Sequence, residues 1–388
     1  MNILIIAPTP YFSDRGCHIR ILEEIKALKQ AGHNPILYTY HLGRDLGDVQ
    51  TYRSVNIPWY NKISAGFSWH KIYLDILLLL KIVFNCRKHS FDIIHAHLHE
   101  GAFLGYWVKL FLRKPLILDA QDSLTEELQH YNVIKSHVLK KLVFALERWI
   151  VNRADHVFTS SLDLLSFMQE YFPEAKNKLS LLPDAATQSP TVLAEQQRQE
   201  LAVLLNINLQ KPVIIYTGGL TPTKGIDYLL DAIPLVVKKQ PDAQFVLIGY
   251  PLNHVIKRVE KLGIASALRI VGKVDYSTLF HYLQLADIAV DPKPASSSEA
   301  SGKMINYMAA GLPVVAFDTV RAHETLVNAG VVTKENNAAG LAEAIIELLN
   351  NPAEQKRLGE LAKKLALERY SWKTIIQQAI QYYEQLAK

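Results

Sequence analysis

The sequence predicts an α/β protein of two tandem domains, each a doubly wound parallel sheet with helices on both faces. Three observations support this prediction. The chain has 388 residues, which is too long for one typical domain. Short apolar runs typical of buried strands alternate with longer runs of helical periodicity along most of its length. The alternation stops once, at residues 184–200, which are polar and poor in apolar residues, so we place the domain boundary there.

The first half contains five strand signals and four helix signals in alternation. The first helix illustrates the pattern, because Ile19, Leu22, Ile25 and Leu28 repeat at helical spacing and Gly32 ends the run. The predicted strands are Asn2–Ile6, Pro35–Tyr40, Phe91–His95, Pro115–Leu118 and His156–Thr159. The predicted helices are His18–Gln30, Ile72–Phe84, Gly101–Leu112 and Val138–Asn152.

The second half repeats this organisation. Its predicted strands are Val213–Tyr216, Gln244–Ile248, Leu268–Val271, Ile288–Val290 and Val314–Phe317. Its predicted helices are Ile226–Lys239, His254–Leu262, Leu279–Leu285 and Lys303–Ala310. A last helix, Trp372–Leu386, follows the final strand. We therefore predict domains at residues 1–190 and 191–370, with residues 371–388 packing back toward the first domain.

Composition argues against several classes of protein. Apolar residues make up 49% of the chain, enough for two cores and unlike a disordered protein. The net charge of +5 is mild and no dense Lys/Arg block occurs, so no nucleic-acid partner is predicted. Cys17 and Cys86 have no metal-site or redox-motif spacing, which favours a reducing, cytoplasmic location. The N-terminus enters a strand directly and lacks the features of a signal peptide.

The longest apolar run, Ile72–Phe84, is interrupted by Asp75 and Lys81 and is too short to span a bilayer. A buried helix is one interpretation of this run. Contact with an anionic membrane surface is the other, and it would place the protein peripherally on the inner face of the membrane.

A small polar loop that opens the helix Lys303–Ala310 is the first candidate ligand site. Loop and helix start together present Ser301, Gly302, Lys303 and Asn306. Helix N-termini attract anions. A lysine there opposes the helix dipole, so its position needs a reason, and a bound anion such as a diphosphate would supply one. The alternative is an ordinary loop–helix unit with a solvated lysine.

The run TGGLTPTKG after the strand Val213–Tyr216 is the second candidate. Gly218 and Gly219 allow close approach of a ligand to the backbone, and Lys224 supplies a positive charge. The spacing is not that of a Walker loop, so a solvent-exposed loop lysine is the alternative. Because ligands bind beyond the carboxyl ends of parallel strands, Gly249 and Val271 join this candidate site.

In the first half, Arg15 and Gly16 lie in the first strand–helix loop, and Gln121 and Asp122 follow a later strand. Asp122 is a candidate to bind a substrate hydroxyl, or alternatively the residue of an Asx turn or helix cap. His95, His97 and His99 alternate. A metal site is disfavoured because alternate residues share one side only while the strand stays extended and because no carboxylate cluster beyond Glu100 completes a second shell, so His97 is predicted to hydrogen-bond a ligand in a cleft. The GxSxG and GxGxxG motifs of serine hydrolases and dinucleotide-binding enzymes do not occur at the expected places.

Together these segments resemble the retaining GT-B glycosyltransferases of the family 4 type, which include glycogen synthase-like enzymes and mannosyltransferases. In the first half the resemblance rests on the segments FDIIHAH and ERWIVNRADHVFTSS. In the second half it rests on IIYTGGLTPTKGIDYLLDAI and YMAAGLPVVAF. The resemblance implies two Rossmann-like domains facing a cleft, with a glycan or lipid-linked acceptor bound by the first and a nucleotide-diphosphate sugar by the second. It also implies transfer with retention of configuration, without a metal or cofactor.

The resemblance further implies that Lys224 binds the phosphates. The sequence departs from the family pattern in three features, namely the arginine of the glycine loop, the pair of glutamates and the cleft histidine. Gly219 stands where the family has an arginine, and Asn306 stands where the family has the second of two glutamates. Glu299 lies one position from the first glutamate and is a candidate catalytic residue, and Gln121 replaces a cleft histidine. These departures leave two alternatives open: a non-catalytic nucleotide-sugar-binding subunit, and a nucleotide-sugar epimerase of the same fold.

Overall fold

The computed structural model describes residues 1–63, 66, 68–130, 133–186, 192–295 and 300–387. It divides into two compact units. Unit 1 contains Met1–Asp184 together with the C-terminal segment from Trp372, and unit 2 contains most of residues 185–371. The first boundary lies after residue 184, six residues before the predicted one, and the second lies after residue 371.

Unit 1 is organised around a seven-stranded parallel sheet in the order β3-β2-β1-β4-β5-β6-β7. The strands are β1 Asn2–Ala7, β2 Asn34–Thr39, β3 Thr51–Arg53, β4 Ile93–His97, β5 Leu116–Ala120, β6 His156–Thr159 and β7 Leu179–Leu181. The helices before the domain boundary are α1 Gly16–Gln30, α2 Lys71–Asn85, α3 Leu98–Leu112, α4 Leu124–His130, α5 His137–Arg153 and α6 Leu162–Tyr171. The central strands β4 and β5 are buried along their whole length, as expected for a parallel sheet covered on both faces.

Unit 2 has a six-stranded parallel sheet in the order β10-β9-β8-β11-β12-β13. Its strands are β8 Val213–Thr217, β9 Gln244–Ile248, β10 Leu268–Gly272, β11 Ile288–Asp291, β12 Val314–Ala316 and β13 Gly330–Val332. Its helices are α7 Glu195–Leu204, α8 Ile226–Lys239, α9 Asn253–Leu262, α10 Leu279–Leu283, α11 Gly302–Ala309, α12 Val320–Leu326, α13 Ala338–Leu349 and α14 Pro352–Arg369. Both sheets are doubly wound, so the predicted fold class is confirmed.

Every strand and helix predicted from periodicity is present, with ends displaced by at most three residues. The elements that periodicity missed include the short strands β3, β7 and β13, which lie at sheet edges. Each has three residues, all only half-buried, so too few apolar positions repeat to give a signal. Helix α7 begins inside the polar stretch taken as a boundary and was missed because it buries a single residue, Ala202.

The C-terminal helix, α15 Trp372–Leu386, belongs to unit 1. It packs on α1 and buries an apolar stripe that includes Ile375, Ile376 and Ile380. The ring of Tyr382 stacks on His156 with centroids 3.9 Å apart, and Tyr383 is fully buried. The last residues of the chain therefore complete the core of the unit that the first residues begin.

None of the helices in the described part of the chain is long and apolar enough to cross a membrane.

Candidate functional site

An ion pair at the carboxyl end of β11 anchors the candidate site of unit 2. Lys303, in the first turn of α11, places Nζ 2.9 Å from Oδ1 of Asp291, the last residue of β11. The Lys303 ammonium also lies 4.1 Å from the centre of the Tyr216 ring. Burial alone would lower the pKa of Lys303, but the Asp291 carboxylate outweighs it and raises that pKa. The Asp291 carboxylate thus stabilises the position of Lys303 from within the protein, and an anionic ligand beside it stays a prediction.

Glycines allow three loops to meet beside this ion pair. Gly249 has φ = +148°, and a Cβ placed on it would lie 1.8 Å from the carbonyl oxygen of Gly218. Gly225 has φ = +80°, and a Cβ there would lie 1.9 Å from the carbonyl oxygen of Pro292. Only glycine fits either position. The loop after β8 therefore packs directly against the loops after β9 and β11.

The Gly218–Gly219 segment lies close to two lysine side chains. A Cβ on Gly218 would lie 3.7 Å from Cδ of Lys303, and one on Gly219 would lie 3.5 Å from Cγ of Lys224. The structure thus places both predicted lysines beside the predicted glycine loop.

Two further cations, which sequence reasoning missed, belong to this cluster. Lys293 is only 3% exposed, and its pKa lies well below the ordinary value because of burial and repulsion by Lys224 and Arg321. Arg321 is equally buried and directs Nη2 toward the carbonyl oxygen of Pro294, 3.4 Å away. The sequence did contain a signal for Lys293. This residue lies two positions after the end of β11, and ligands of parallel sheets bind beyond the carboxyl ends of the strands. Arg321 gave none, because α12 was not predicted.

The remaining predicted donor residues occupy the same edge of the sheet. The Ser301 hydroxyl donates to the second oxygen of Asp291, and Gly302 begins α11. Asn306 is buried in that helix. Val271 lies in β10, and the next residue, Gly272, accepts a hydrogen bond from the Gly249 backbone N–H. Glu299 lies outside the described residues.

Unit 1 has its own recess, with an empty volume of roughly 680 Å³. Its charged lining residues include Arg15, Lys71, Glu100, Asp122 and Glu127. The Lys71 ammonium lies 2.7 Å from the Glu100 carboxylate. Burial, followed by repulsion from Glu100, raises the pKa of Glu127 to about 7. The recess therefore combines cations with a carboxyl group that titrates near neutrality, a set suited to hydrogen-bonding a polyhydroxylated ligand.

Some of the predicted acceptor residues line this recess and others do not. Arg15 and Asp122 line the recess, and Asp122 also accepts the backbone N–H of the next residue, Ser123, whereas an Asx turn would use the N–H two residues on. Gly16 begins α1, and the Gln121 amide donates to Asp119 at 3.2 Å. His97 is fully buried and does not line the recess, so its predicted placement was wrong. His99 lines it instead, because the chain turns from strand to helix between these two residues.

His97 belongs to a buried polar cluster in unit 1. The cluster contains Glu24 from α1, His95 and His97 from β4, and Asp119 from β5, with ligand atoms all within 4.8 Å of one another. Parallel pairing of β4 and β5 sets His97 opposite Asp119. The prediction that no carboxylates beyond Glu100 accompany these histidines was wrong, because Glu24 and Asp119 come from elements that are distant in sequence.

Two protein-family models match the chain in tandem. The model described as "Glycosyl transferase 4-like domain" matches residues 15–183, and "Glycosyl transferases group 1" matches residues 197–365. The chain belongs to the GT-B glycosyltransferases of the family 4 type. Glycogen synthase of Mycobacterium tuberculosis is 26% identical over 313 residues, which cover 79% of this chain and 72% of that protein.

A further relative and a solved structure are also similar to this glycosyltransferase. A GDP-mannose-dependent mannosyltransferase of Corynebacterium glutamicum, named for a monoacylated phosphatidylinositol monomannoside, is 29% identical over 167 residues. That match covers 42% of this chain and 44% of the relative. The crystal structure of Anabaena HepE in complex with UDP matches with a TM-score of 0.77 and 18% identity, covering 100% of both chains. The predicted family is confirmed, and the likeness to HepE supports the fold.

Proposed function

We propose that this glycosyltransferase takes its sugar from a nucleoside diphosphate sugar bound at the cation cluster of unit 2. The observation that carries the proposal is that Lys224 and Lys303 lie beside the Gly218–Gly219 segment and that Lys293 lies close enough to Lys224, Lys303 and Arg321 to be repelled by them. Three lysines and a guanidinium at the carboxyl edge of a parallel sheet suit a diphosphate. The name of the GDP-mannose-dependent relative and the UDP complex of HepE agree with this ligand class.

The chemistry follows from the charge that develops as the sugar leaves. The glycosidic bond to the diphosphate breaks and negative charge accumulates on the departing phosphate, where fixed cations stabilise the transition state. Lys224 is the proposed phosphate ligand. A bound diphosphate would favour the protonated form of Lys293, which would then supply the positive charge that Gly219, in place of the arginine of the family, does not provide. A donor held by these side chains needs no metal ion, and we propose metal-independent transfer with retention of configuration.

The acceptor is proposed to present its hydroxyl from the recess of unit 1. Arg15, Lys71, His99 and Asp122 offer donors and acceptors of hydrogen bonds to the hydroxyl groups of a glycan. The Glu299 segment stays a candidate to contact the donor sugar.

A lipid-linked acceptor is favoured by an apolar face on unit 1, formed by α2, α3 and α5. Helix α2 exposes Ile72, Ile76, Leu80 and Phe84, four residues apart along one stripe. Its neighbour α3 exposes Trp107, Leu110 and Phe111, and α5, which packs on α3, exposes Val138, Leu142 and Leu146. Arg87, Lys88, Lys140 and Lys141 are exposed at or beside these helices. We propose that this "apolar helix face" lies on an anionic membrane that holds the acceptor.

The test of the proposed reaction is incubation with UDP-, GDP- and ADP-sugars, with and without EDTA. Release of nucleoside diphosphate and the anomeric configuration of the product are followed by NMR. The proposal is supported if the sugar is transferred or slowly hydrolysed with retention of the anomeric configuration and if this turnover also occurs in EDTA. An inverted product, or turnover that EDTA abolishes and Mn²⁺ restores, contradicts the proposed stereochemistry or metal independence.

The same experiment separates the competing functions. The missing arginine at Gly219 favours a non-catalytic subunit as the second candidate, for which nucleotide sugar would bind without turnover. An epimerase would change the sugar while leaving the nucleotide attached. Either result would overturn the transferase proposal.

A further inference from the structure

The buried polar cluster of unit 1 directs three side chains at one point. Nε2 of His95 lies 3.7 Å from Oε2 of Glu24, and Nε2 of His97 lies 3.6 Å from the same oxygen. The two imidazole rings are nearly parallel, with centroids 4.6 Å apart. All three side chains are at most 1% exposed. Alternate residues of the extended strand β4 thus present both rings to a carboxylate from α1.

The opposite edge of each ring is held by another residue. Nδ1 of His97 lies 2.9 Å from Oδ2 of Asp119, and Nδ1 of His95 contacts the Tyr383 hydroxyl. Arg20 donates to both Asp119 oxygens, from Nε at 2.8 Å and from Nη2 at 2.7 Å. An ionised carboxylate only accepts hydrogen bonds, so Nδ1 of His97 carries the proton. In the neutral imidazole, Nε2 therefore presents its lone pair.

This arrangement sets a nitrogen lone pair against a carboxylate. Among the described residues, neither Nε2 of His95 or His97 nor either oxygen of Glu24 has a hydrogen-bond partner. Oε1 of Glu24 has an ionic contact with Arg20 at 3.1 Å. Buried polar atoms that face one another as acceptors are costly unless something positive lies between them. A metal ion satisfies all three atoms at once.

We propose that Glu24, His95 and His97 bind one divalent metal ion, for which zinc is the best chemical match. Zn–N and Zn–O bonds of about 2.0–2.2 Å in a tetrahedral site separate ligand atoms by about 3.3–3.6 Å, close to the separations from Glu24. Imidazole ligands favour zinc and the other late first-row metals. A ligating histidine usually donates its other N–H to a carboxylate, as His97 does to Asp119.

Charge balance supports the same assignment. Arg20 has ionic contacts with Glu24, Asp119 and Asp184, so one guanidinium faces three carboxylates. With all three carboxyl groups ionised, these four side chains carry a net charge of 1 − 3 = −2. One divalent cation neutralises them.

The ion is out of reach of the substrate, because its three ligands are at most 1% exposed, so the proposal is compatible with metal-independent transfer. The ion joins α1 to β4, and the contact of Tyr383 with His95 extends the connection to α15. The C-terminal helix is thereby fastened to the sheet of unit 1.

The test is the metal content of tag-free full-length protein, since a polyhistidine tag binds the same ions. After incubation with Zn²⁺ and removal of excess, elemental analysis is expected to find one equivalent. Co²⁺ is expected to give visible d–d bands. Glu24→Gln is expected to lose the metal, and Tyr383→Phe, which removes only an orienting contact, to weaken affinity about 10–100-fold.

His99→Gln is the matched control, because His99 belongs to the same run, is buried, and has a carboxylate, Glu147, at 3.6 Å. This variant is expected to keep one equivalent. The proposal is overturned if folded wild-type protein takes up no more Zn²⁺ or Co²⁺ than Glu24→Gln; a proton shared by Glu24 and an imidazole would then fill the role. Metal content is read without donor or acceptor, so this result is independent of the proposed transferase activity.

Discussion

Lys303 begins α11 with a charge that opposes the helix dipole, and Asp291 stabilises that charge at 2.9 Å. The pair holds the lysine at the edge of the sheet, where it contributes to the positive potential without itself needing to contact phosphate. Lys224 differs, because it lies beside Gly219 in the glycine loop and is the residue that the family resemblance assigns to the phosphates. The residue whose removal affects catalysis most is therefore expected to be Lys224.

Lys224→Ala is expected to lower the transfer or hydrolysis rate by about 100-fold, the effect of losing one charge-stabilising donor. The measurement is kcat for nucleoside diphosphate release at saturating donor. Lys261→Ala removes an exposed lysine of α9 in the same unit and should retain the wild-type rate. Equal rates for both variants would exclude Lys224 from the mechanism.

Glu127 in the recess of unit 1 makes stability depend on pH. Burial and Glu100 raise its pKa from 4.5 to about 7, so the folded protein retains a proton that the unfolded chain releases between these values. The contribution of this group to the free energy of unfolding therefore falls as pH rises from about 4.5 to about 7, and stays low above that.

Glu127→Gln carries no charge to desolvate, so it should gain stability relative to wild type as pH rises. Between pH 4.5 and pH 8 we expect the difference in the free energy of unfolding to shift toward the variant by about 3 kcal/mol. Urea unfolding at both pH values measures it. The exposed Glu260→Gln should show no such shift, and a constant difference for Glu127→Gln would refute the assignment.

At the scale of elements, short loops determine how the strand ends of unit 2 are arranged. The loop after β8 is packed against the loop after β9 so closely that Gly249 admits no Cβ. In unit 1, helix α2 of the apolar helix face buries Leu74, Leu78 and Ile82. It also exposes a second stripe that is equally apolar. A helix that is apolar on two sides is expected to have a partner on each.

Gly249→Ala is expected to destabilise unit 2 by at least about 2 kcal/mol, because the strained φ is combined with a clash against the Gly218 carbonyl. Gly263→Ala is the control. Gly263 also has a positive φ, of +65°, but a Cβ there meets nothing within 4 Å. Urea unfolding followed by far-UV circular dichroism compares them, and equal losses would mean that the clash relaxes at no cost.

Ile76→Ser combined with Leu80→Ser is expected to reduce binding to anionic vesicles about 10-fold, because two exposed apolar side chains no longer enter the interface. Co-sedimentation with phosphatidylglycerol-containing and neutral vesicles measures it. Leu204→Ser changes a residue that is 78% exposed on α7 of unit 2 and serves as the control. Wild-type protein that binds both vesicle types equally would argue against the anionic surface.

At the scale of the whole molecule, the last helix of the chain completes the core of unit 1. All five tryptophans, Trp59, Trp69, Trp107, Trp149 and Trp372, belong to that unit. Tryptophan fluorescence therefore reports on unit 1, whereas circular dichroism reports on both units. This distribution allows the contribution of the C-terminal helix to be measured in the intact chain.

Ile376→Ala is expected to destabilise the transition seen by tryptophan fluorescence by about 2–4 kcal/mol, the cost of a cavity at a fully buried isoleucine. Lys373→Ala, at an exposed position of the same helix, is the control and should shift it by less than about 0.5 kcal/mol. If Ile376→Ala left the fluorescence transition unchanged, α15 would not be part of the core of unit 1.

The sequence by itself determined the fold class, the family and most elements. Buried parallel strands appear as short apolar runs, and amphipathic helices repeat apolar residues three or four positions apart, so both patterns are local. It also located the glycine loop and Lys224, which are consecutive in the chain. Only the tertiary structure brought Asp291 to Lys303, Lys293 to Lys224, and Glu24 to His95 and His97. These contacts join elements that the order of strands in a sheet makes adjacent, and no local pattern of residues encodes that order.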